Sequence, residues 1–186
     1  MDNIFSARLV LRKIDEKDLA LISDWSQLES AYGSFLSAEH FSLEDCRVKY
    51  KSNYFWNDKS KTYIIELKDK QPLGTIHYWV NRDNDNLVVV SLKIIEALMR
   101  GKGYGTEAQK CLIKHLFENN FNYHKIEMYT DIDNIPEQRC LKKLGFTFID
   151  SVMYDDMDKK RVGNLYRLTL QEFAGMALYK YYDEYK

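Results

Sequence analysis

Ile95-Glu96-Ala97-Leu98-Met99-Arg100-Gly101-Lys102-Gly103-Tyr104-Gly105-Thr106 is the stretch whose reading decides the fold. An apolar strand pattern, Leu87 to Ile95, runs into it. A helical pattern leaves it, with Tyr104, Ala108, Cys111, Leu112, His115 and Leu116 at spacings of three or four. Between them lie three alternate glycines and two cations. Glycine lets the backbone take φ > 0 and lets a ligand approach the main chain closely. A helix start adds free N–H groups and roughly half a positive charge. Strand, glycine loop and helix start together form an anion socket, most often for phosphate.

Two common phosphate loops do not fit. The P-loop needs G-x-x-x-x-G-K-[ST], which is absent. The dinucleotide fingerprint needs G-x-G-x-x-G, and here the third glycine comes one residue early. A dinucleotide fold also alternates strand and helix, whereas three strand patterns precede this loop. The spacing that fits is Arg-x-x-Gly-x-Gly, at Arg100, Gly103 and Gly105. Taken alone, the glycines would also suit a tight turn that closes a hairpin or caps a helix.

The chain has 186 residues, which suits a single domain over 1–186. It is 45% hydrophobic and 30% charged, so a sizeable core is available. Lys and Arg number 27 against 28 Asp and Glu, so no global field favours nucleic acid or an anionic membrane. No apolar run approaches the roughly 20 residues that span a bilayer, and the first residues lack a signal-peptide pattern. Cys46, Cys111 and Cys140 form no C-x-x-C pair, and the four histidines share no metal-ligand spacing. A reducing cytoplasm, no metal, no nucleic acid and no membrane are therefore expected. The state is a monomer or homodimer.

In order, Ala7 to Ile14 alternates as a strand, and Asp15 with Asp18 opens a helix carrying Leu19, Ile22, Trp25 and Leu28. Tyr32 and Phe35 sit in a loop that could line a groove or cover the core. Ser42 caps a second helix with Leu43, Cys46, Tyr50 and Tyr54 at helical spacing. Thr62–Lys68, Leu73–Val80 and Leu87–Ile95 form an antiparallel meander. The helix after the glycine loop runs to about Asn120 and leads to a strand, His124 to Thr130. Asn134 caps the next helix, with Pro136 in its first turn, Leu141 and Leu144 inward and Gly145 as its stop. Phe146–Met153 and Asn164–Thr169 are strands joined by a polar connection, Tyr154 to Gly163. Gln171 to Lys186 reads as a terminal helix.

Three segments match one family in order. Arg100 to Ala108 resembles the coenzyme loop of the Gcn5-related N-acetyltransferases. Ala7-Arg8-Leu9-Val10-Leu11-Arg12 with Asp15–Asp18 resembles the opening of their ribosomal-protein-alanine-acetyltransferase-like branch. Asn134 to Phe146 resembles their asparagine-to-Gly-Phe segment. The resemblance implies an α/β (α+β) fold: a mixed, mostly antiparallel seven-stranded sheet with helices on both faces. It implies that Leu87–Ile95 and His124–Thr130 splay apart to admit acetyl-coenzyme A. Main chain at Lys93, Ile94 and Ile95 would pair with the pantetheine arm. The N–H groups of Arg100, Gly101, Lys102, Gly103, Tyr104, Gly105 and Thr106 would hold the pyrophosphate, and Asn134 would bond the arm.

The implied chemistry is direct attack of an amine on a thioester, within a ternary complex. A main-chain N–H at Ile95 or its neighbour would stabilise the oxyanion. The acceptor amine is mostly protonated near neutral pH, so a base is required. Where many members place a tyrosine acid, this chain has Leu141; where the ribosomal-protein branch often has serine, it has Glu137. Asp131 and Glu137 are the catalytic candidates, with Glu66, His77 and Glu96 behind them. Glu137 also suits a plain first-turn glutamate, and Asp131 a solvated turn. Tyr32, Phe35, His77 and Tyr154 are the acceptor-groove candidates, for a small amine or a protein N-terminus. The rival reading is a coenzyme-binding sensor or scaffold that has lost catalysis.

Overall fold

Alternation in the strands and capping boxes at the helix starts lay out the architecture. The computed structural model describes residues 3–32, 35–120, 122–156 and 159–180. Its strands are β1 (Ile4–Phe5), β2 (Leu9–Lys13), β3 (Trp56–Asn57), β4 (Ser60–Leu67), β5 (Pro72–Val80), β6 (Leu87–Ile94), β7 (Lys125–Asp131), β8 (Thr147–Asp156) and β9 (Lys159–Thr169). Its helices are α1 (Leu19–Gln27), α2 (Glu29–Tyr32), α3 (Leu43–Lys51), α4 (Tyr104–Asn119), α5 (Ile135–Lys143), α6 (Leu170–Gly175) and α7 (Ala177–Lys180). Short 3-10 turns at Glu16–Asp18 and Ala97–Met99 complete it.

One sheet runs in the order β1-β2-β4-β5-β6-β7-β9-β8, with β3 beside β4. Every pairing is antiparallel except β6 with β7. Strand, helix α4, strand is the crossover that makes that pair parallel. Each face of the sheet carries its own apolar cluster. Leu9, Leu11, Ile76, Val88, Val90, Ile126 and Met128 pack with α4 and α5 residues such as Leu112, Leu116 and Leu141. Ile64 and Ile95 pack on the other face with Leu19, Ile22 and Trp25 of α1, Tyr32 of α2 and Cys46 of α3.

Local chemistry fixes the helix starts. Asp15 and Asp18 form a reciprocal capping box, as do Ser42 with Asp45 and Thr169 with Glu172. Asp18 also receives both terminal nitrogens of Arg12, at 2.7 and 2.9 Å, while Arg12 Nε donates to Glu66 at 2.6 Å. Burial pushes the Asp18 carboxyl up, but the Arg12 and Asp15 hydrogen bonds hold it below the usual carboxylate range. Glu66 is thereby a brace between β2 and β4.

Several expectations need correction. Among the described residues the sheet has nine strands rather than seven; β1 and β3 are two-residue pairs, too short for alternation to show. Residues of the expected polar connection Tyr154 to Gly163 lie in the β8–β9 ladder, with Tyr154 opposite Arg161 and Asp156 opposite Lys159. An edge hairpin largely open to solvent on both faces has no apolar rhythm to read. The second helix ends at Lys51, short of Tyr54, because Asn53 takes the left-handed conformation at φ 57°. The terminal helix breaks into α6 and α7 around Met176. Tyr179 is buried, its hydroxyl donating to the Leu144 carbonyl at 2.8 Å. Tyr181, Tyr182 and Tyr185 lie outside the described residues.

Candidate active site

Pairing between β6 and β7 stops early. The registered pairs are Leu87 with Lys125, Val88 with Ile126 and Val89 with Glu127. Beyond them β6 continues to Ile94 and β7 to Asp131 without a partner in each other. The β5 ladder shows which amides this opens. Ile95 N–H donates to the Leu73 carbonyl at 2.9 Å, and Lys93 stands opposite Thr75 in the same register. Antiparallel bonding alternates, so Leu92 and Ile94 turn their main chain the other way, into the gap. Of the two oxyanion-donor candidates, Ile95 and its neighbour, the N–H of Ile95 is already used, and Ile94 and then Leu92 face the opening.

Gly74 of β5 stands opposite Ile94 on the parted stretch of β6. A Cβ there would stand 1.9 Å from the Lys93 carbonyl oxygen. Only glycine lets β5 and β6 approach this closely where β6 has parted from β7. The sequence signal was a lone glycine inside a strand, which often marks close backbone approach.

The glycine loop rises beside the gap. Gly101 and Gly103 take φ of 72° and 83°, and Gly103 is the N-cap of α4 without any side-chain cap. The N–H groups of Gly101, Lys102, Gly103, Tyr104, Gly105 and Thr106 find no acceptor among the described residues. Glu107 is the first to close a helical bond, onto the Gly103 carbonyl at 3.0 Å.

Arg100 is different, and its place in the socket is corrected. Its N–H donates to the Ala97 carbonyl at 3.1 Å. Its guanidinium donates to the carbonyls of Ile94 at 2.8 Å, Ser30 and Ala31 at 3.0 Å and Ile95 at 3.2 Å. It ties the loop to the end of β6 and to α2. The arginine flanking the loop is Arg8, from the start of the chain just before β2. Arg8 Nε donates to Glu107 at 2.6 Å, Nη1 to the Lys102 carbonyl at 3.1 Å, and its guanidinium lies 4.4 Å over the Tyr104 ring.

On the α4–α5 side a half-buried polar chain crosses between the two helices. Asn134 caps α5, its Oδ1 accepting from Glu137 N–H at 3.3 Å. Gln109, fully buried, donates to Glu137 at 2.7 Å, and Cys140 Sγ lies 3.1 Å from Thr106 Oγ1. Burial pushes the Glu137 carboxyl above the usual range, only partly offset by Gln109. Leu141 is fully buried in the core beside it. Thr130 of β7 is 5% exposed, and its Oγ1 has no hydrogen-bond partner among the described residues.

On the opposite face an open groove of about 130 Å³ reaches the parted stretch of β6 at Ser91, Leu92 and Lys93. Ile22, Phe41, Tyr54 and Phe55 give it apolar walls, and His77 lies in its floor. His77 Nε2 pairs with Ser60 Oγ at 2.8 Å, and burial lowers its pKa to about 4. Glu39 is the carboxylate among the described lining residues, and sequence reasoning missed it. Its Oε2 receives Lys93 Nζ at 2.9 Å and the Tyr32 hydroxyl at 3.0 Å. Lys93 Nζ also lies 4.4 Å over the Tyr32 ring. Burial, then Glu39, keeps the Tyr32 hydroxyl protonated well above its ordinary pKa.

The remaining candidates lie apart. Asp131 ends β7, its Oδ1 accepting from Asp133 N–H at 2.9 Å and its Oδ2 lying 3.8 Å from Arg161. Tyr154 packs over Gly163 near the Thr130 carbonyl. Arg161 Nε also donates to Asp156, which accepts from Ser37 N–H and Oγ at 2.9 Å. The β8–β9 hairpin is thus bound to the segment leading to Glu39. Phe35 is half-buried and does not line the groove, and Glu96 is exposed. Glu66 is spent on Arg12.

A parted parallel strand pair beside a helix start with open amides defines a protein that holds a phosphorylated, strand-like ligand through its sheet. The model of the acetyltransferase (GNAT) domain matches residues 8–147. The chain belongs to this family, and it is an acetyl-coenzyme A-dependent N-acetyltransferase. An uncharacterized N-acetyltransferase, YnaD of Bacillus subtilis, is 22% identical over 143 residues, which cover 77% of this chain and 81% of that one. The solved structure of aminoglycoside acetyltransferase AAC(6')-Ib in complex with coenzyme A has a TM-score of 0.76 at 22% identity, covering 90% of this chain and 98% of that chain. RimL, a ribosomal L7/L12 α-N-protein acetyltransferase in complex with coenzyme A, has 0.77 at 16% identity, over 90% and 97%. Spermidine N-acetyltransferase from Vibrio cholerae with coenzyme A and spermine has 0.76 at 16%, over 91% and 99%.

Proposed function

We propose that the chain acetylates a primary amine by direct transfer, with donor and acceptor bound on opposite faces of the sheet. The observation that carries this is the parting of β6 and β7 beyond Val89 and Glu127, beside six open amides at the start of α4. The diphosphate of acetyl-coenzyme A rests on Gly101 to Thr106, where each charge-assisted contact contributes about 1.5–3 kcal/mol. The pantetheine arm enters between α4 and α5 and pairs with the free edge of β6 at Ile94. The side-chain amide of Asn134, whose oxygen already caps α5, offers its N–H₂ to the arm.

The acceptor enters from the groove on the other face. Its ammonium loses a proton to Glu39, the free amine attacks the thioester carbon, and a C–N bond forms. Leu92 N–H stabilises the oxyanion. The C–S bond then breaks, and the thiolate takes a proton from Glu137, whose pKa burial raises; the second proton of the amine nitrogen and the one held on Glu39 pass to solvent, which reprotonates Glu137. Asp131, tied to Arg161, holds the hairpin. Calorimetric titration with acetyl-coenzyme A and release of free coenzyme thiol in the presence of amines test this reading. Absence of binding would sink it; binding without turnover on any amine would favour a sensor or scaffold.

A further inference from the structure

We infer that the acceptor is an amine with one cationic nitrogen on an apolar or aromatic body, bound where the chain's own Lys93 now sits. This rests on the groove being the acceptor site. A carboxylate, a phenol hydroxyl and an aromatic face converge on one ammonium: Glu39 at 2.9 Å from Lys93 Nζ, Tyr32 hydroxyl on the same carboxylate oxygen, and the Tyr32 ring 4.4 Å from Nζ. Carboxylate plus ring face is how proteins recognise an ammonium group. Lys93 fills that cradle as a tethered stand-in, and it springs from the parted stretch of β6 where the thioester lies.

The charge balance then selects the acceptor. Glu39 and Lys93 cancel, and His77, with a pKa near 4, is neutral at physiological pH. Among the described lining residues no second carboxylate faces the groove. A polyamine or aminoglycoside would bring several ammonium groups to a site with one counter-charge, and Lys93 would repel the rest. Phe41, Tyr54 and Phe55 instead suit an apolar body. The incoming ammonium displaces Lys93 from Glu39 and hands its proton to that carboxylate.

The test compares kcat/KM for phenethylamine, hexylamine, spermidine, kanamycin and a peptide with a free N-terminus, with acetyl-coenzyme A binding measured separately. The two monoamines should lead by about tenfold or more, the loss expected per 1.4 kcal/mol of unmatched charge. Glu39→Gln should raise KM for the monoamines about tenfold, lower kcat through loss of the base, and leave acetyl-coenzyme A affinity unchanged. Lys93→Met should lower that KM, since the stand-in is gone. A lead for spermidine, kanamycin or the peptide overturns the inference while leaving the transferase reading intact. Failure of acetyl-coenzyme A to bind overturns that reading itself.

A second observation points independently to a further coenzyme contact. Thr130 Oγ1 is a buried hydroxyl without a partner among the described residues, on the parted stretch of β7. Strand alternation puts Thr130 on the face of Ile126 and Met128, toward α4 and α5. Continuing the parallel register places it level with Leu92, across the gap. The geometry points to a hydrogen bond from Thr130 to the coenzyme at the thioester end, because leaving such a group unmade is costly unless a ligand completes it. Thr130→Val should keep or raise the melting temperature of the free protein and raise the acetyl-coenzyme A Kd about three- to tenfold. Thr130→Ser should stay near wild type. Unchanged affinity in the valine variant, or a loss of stability without coenzyme, overturns it.

Discussion

The guanidinium of Arg100 donates to the carbonyl of Ile94 at 2.8 Å and so turns back from the anion socket onto the strand that lines it. The same side chain reaches Ser30 and Ala31, so one residue locks the end of β6, the glycine loop and α2. Only a planar fork serves several carbonyls at once. Arg100→Ala should cost about 1–2 kcal/mol after allowing for its solvent contact, a fall of roughly 3–6 °C in melting temperature. Arg100→Lys should recover little of it. A lysine variant that melts like wild type would show that charge alone suffices.

Gly74 and Gly103 carry different constraints. An added methyl at Gly74 meets backbone, the Lys93 carbonyl, at 1.9 Å, whereas at Gly103 it meets the flexible end of Arg8 at 3.4 Å. Gly74→Ala should cost more than about 3 kcal/mol by denaturant unfolding, because two strands must separate. Gly103→Ala should cost about 1–2 kcal/mol through its φ of 83° and weaken acetyl-coenzyme A binding. Gly175, where the methyl meets nothing within 4 Å, is the control and should be near neutral.

His77 makes stability fall in acid. Its pKa is about 4 in the folded chain against 6.5 in its absence. The folded state therefore prefers the neutral ring; this stabilisation is present above pH 6.5 and is lost as pH drops from 6.5 through 4. His77→Gln, which can keep the Ser60 contact without titrating, should narrow its gap to wild type over that window, by on the order of 2 kcal/mol. Parallel stability curves for the two proteins would count against it.

Glu137 acts in the opposite direction. Burial raises its pKa, so the folded state prefers the protonated acid. That preference is fully present below the ordinary glutamate range and is lost as pH rises through the raised value. Glu137→Gln, which keeps a partner for Gln109, should gain stability relative to wild type at alkaline pH and converge with it in acid. Turnover should fall in this variant below that raised value, where wild-type Glu137 carries the proton the thiolate takes, and approach wild type above it. Unaltered turnover would remove Glu137 from the chemistry.

What was legible in the sequence followed physical strength. Leu87–Ile95, the glycines and the helix after them were readable because buried alternation, φ > 0 positions and helical spacing leave strong marks. Asn134 and Ser42 were readable as caps for the same reason. Glu39 was not, because a lone glutamate in a loop owes its meaning to Lys93 and Tyr32, brought to it only by folding. Arg100 reads as one of the open amides because it adjoins the glycines, while its N–H bonds to Ala97 and its guanidinium to carbonyls both nearby, at Ile94 and Ile95, and distant, at Ser30 and Ala31. The oxyanion donor was legible only as Ile95 or its neighbour, since the direction of an amide depends on a register that sequence does not specify.

The gap between β6 and β7 passes through the sheet, with α4 and α5 on one side and α1 to α3 on the other. On the proposed function, two substrates have separate doors into one room. Neither need leave for the other to arrive, and the wall built by Ser37, Asp156 and Arg161 can be reshaped on the acceptor's side without disturbing the nucleotide's berth. A lineage built on this plan can change what it modifies while keeping how it is fuelled.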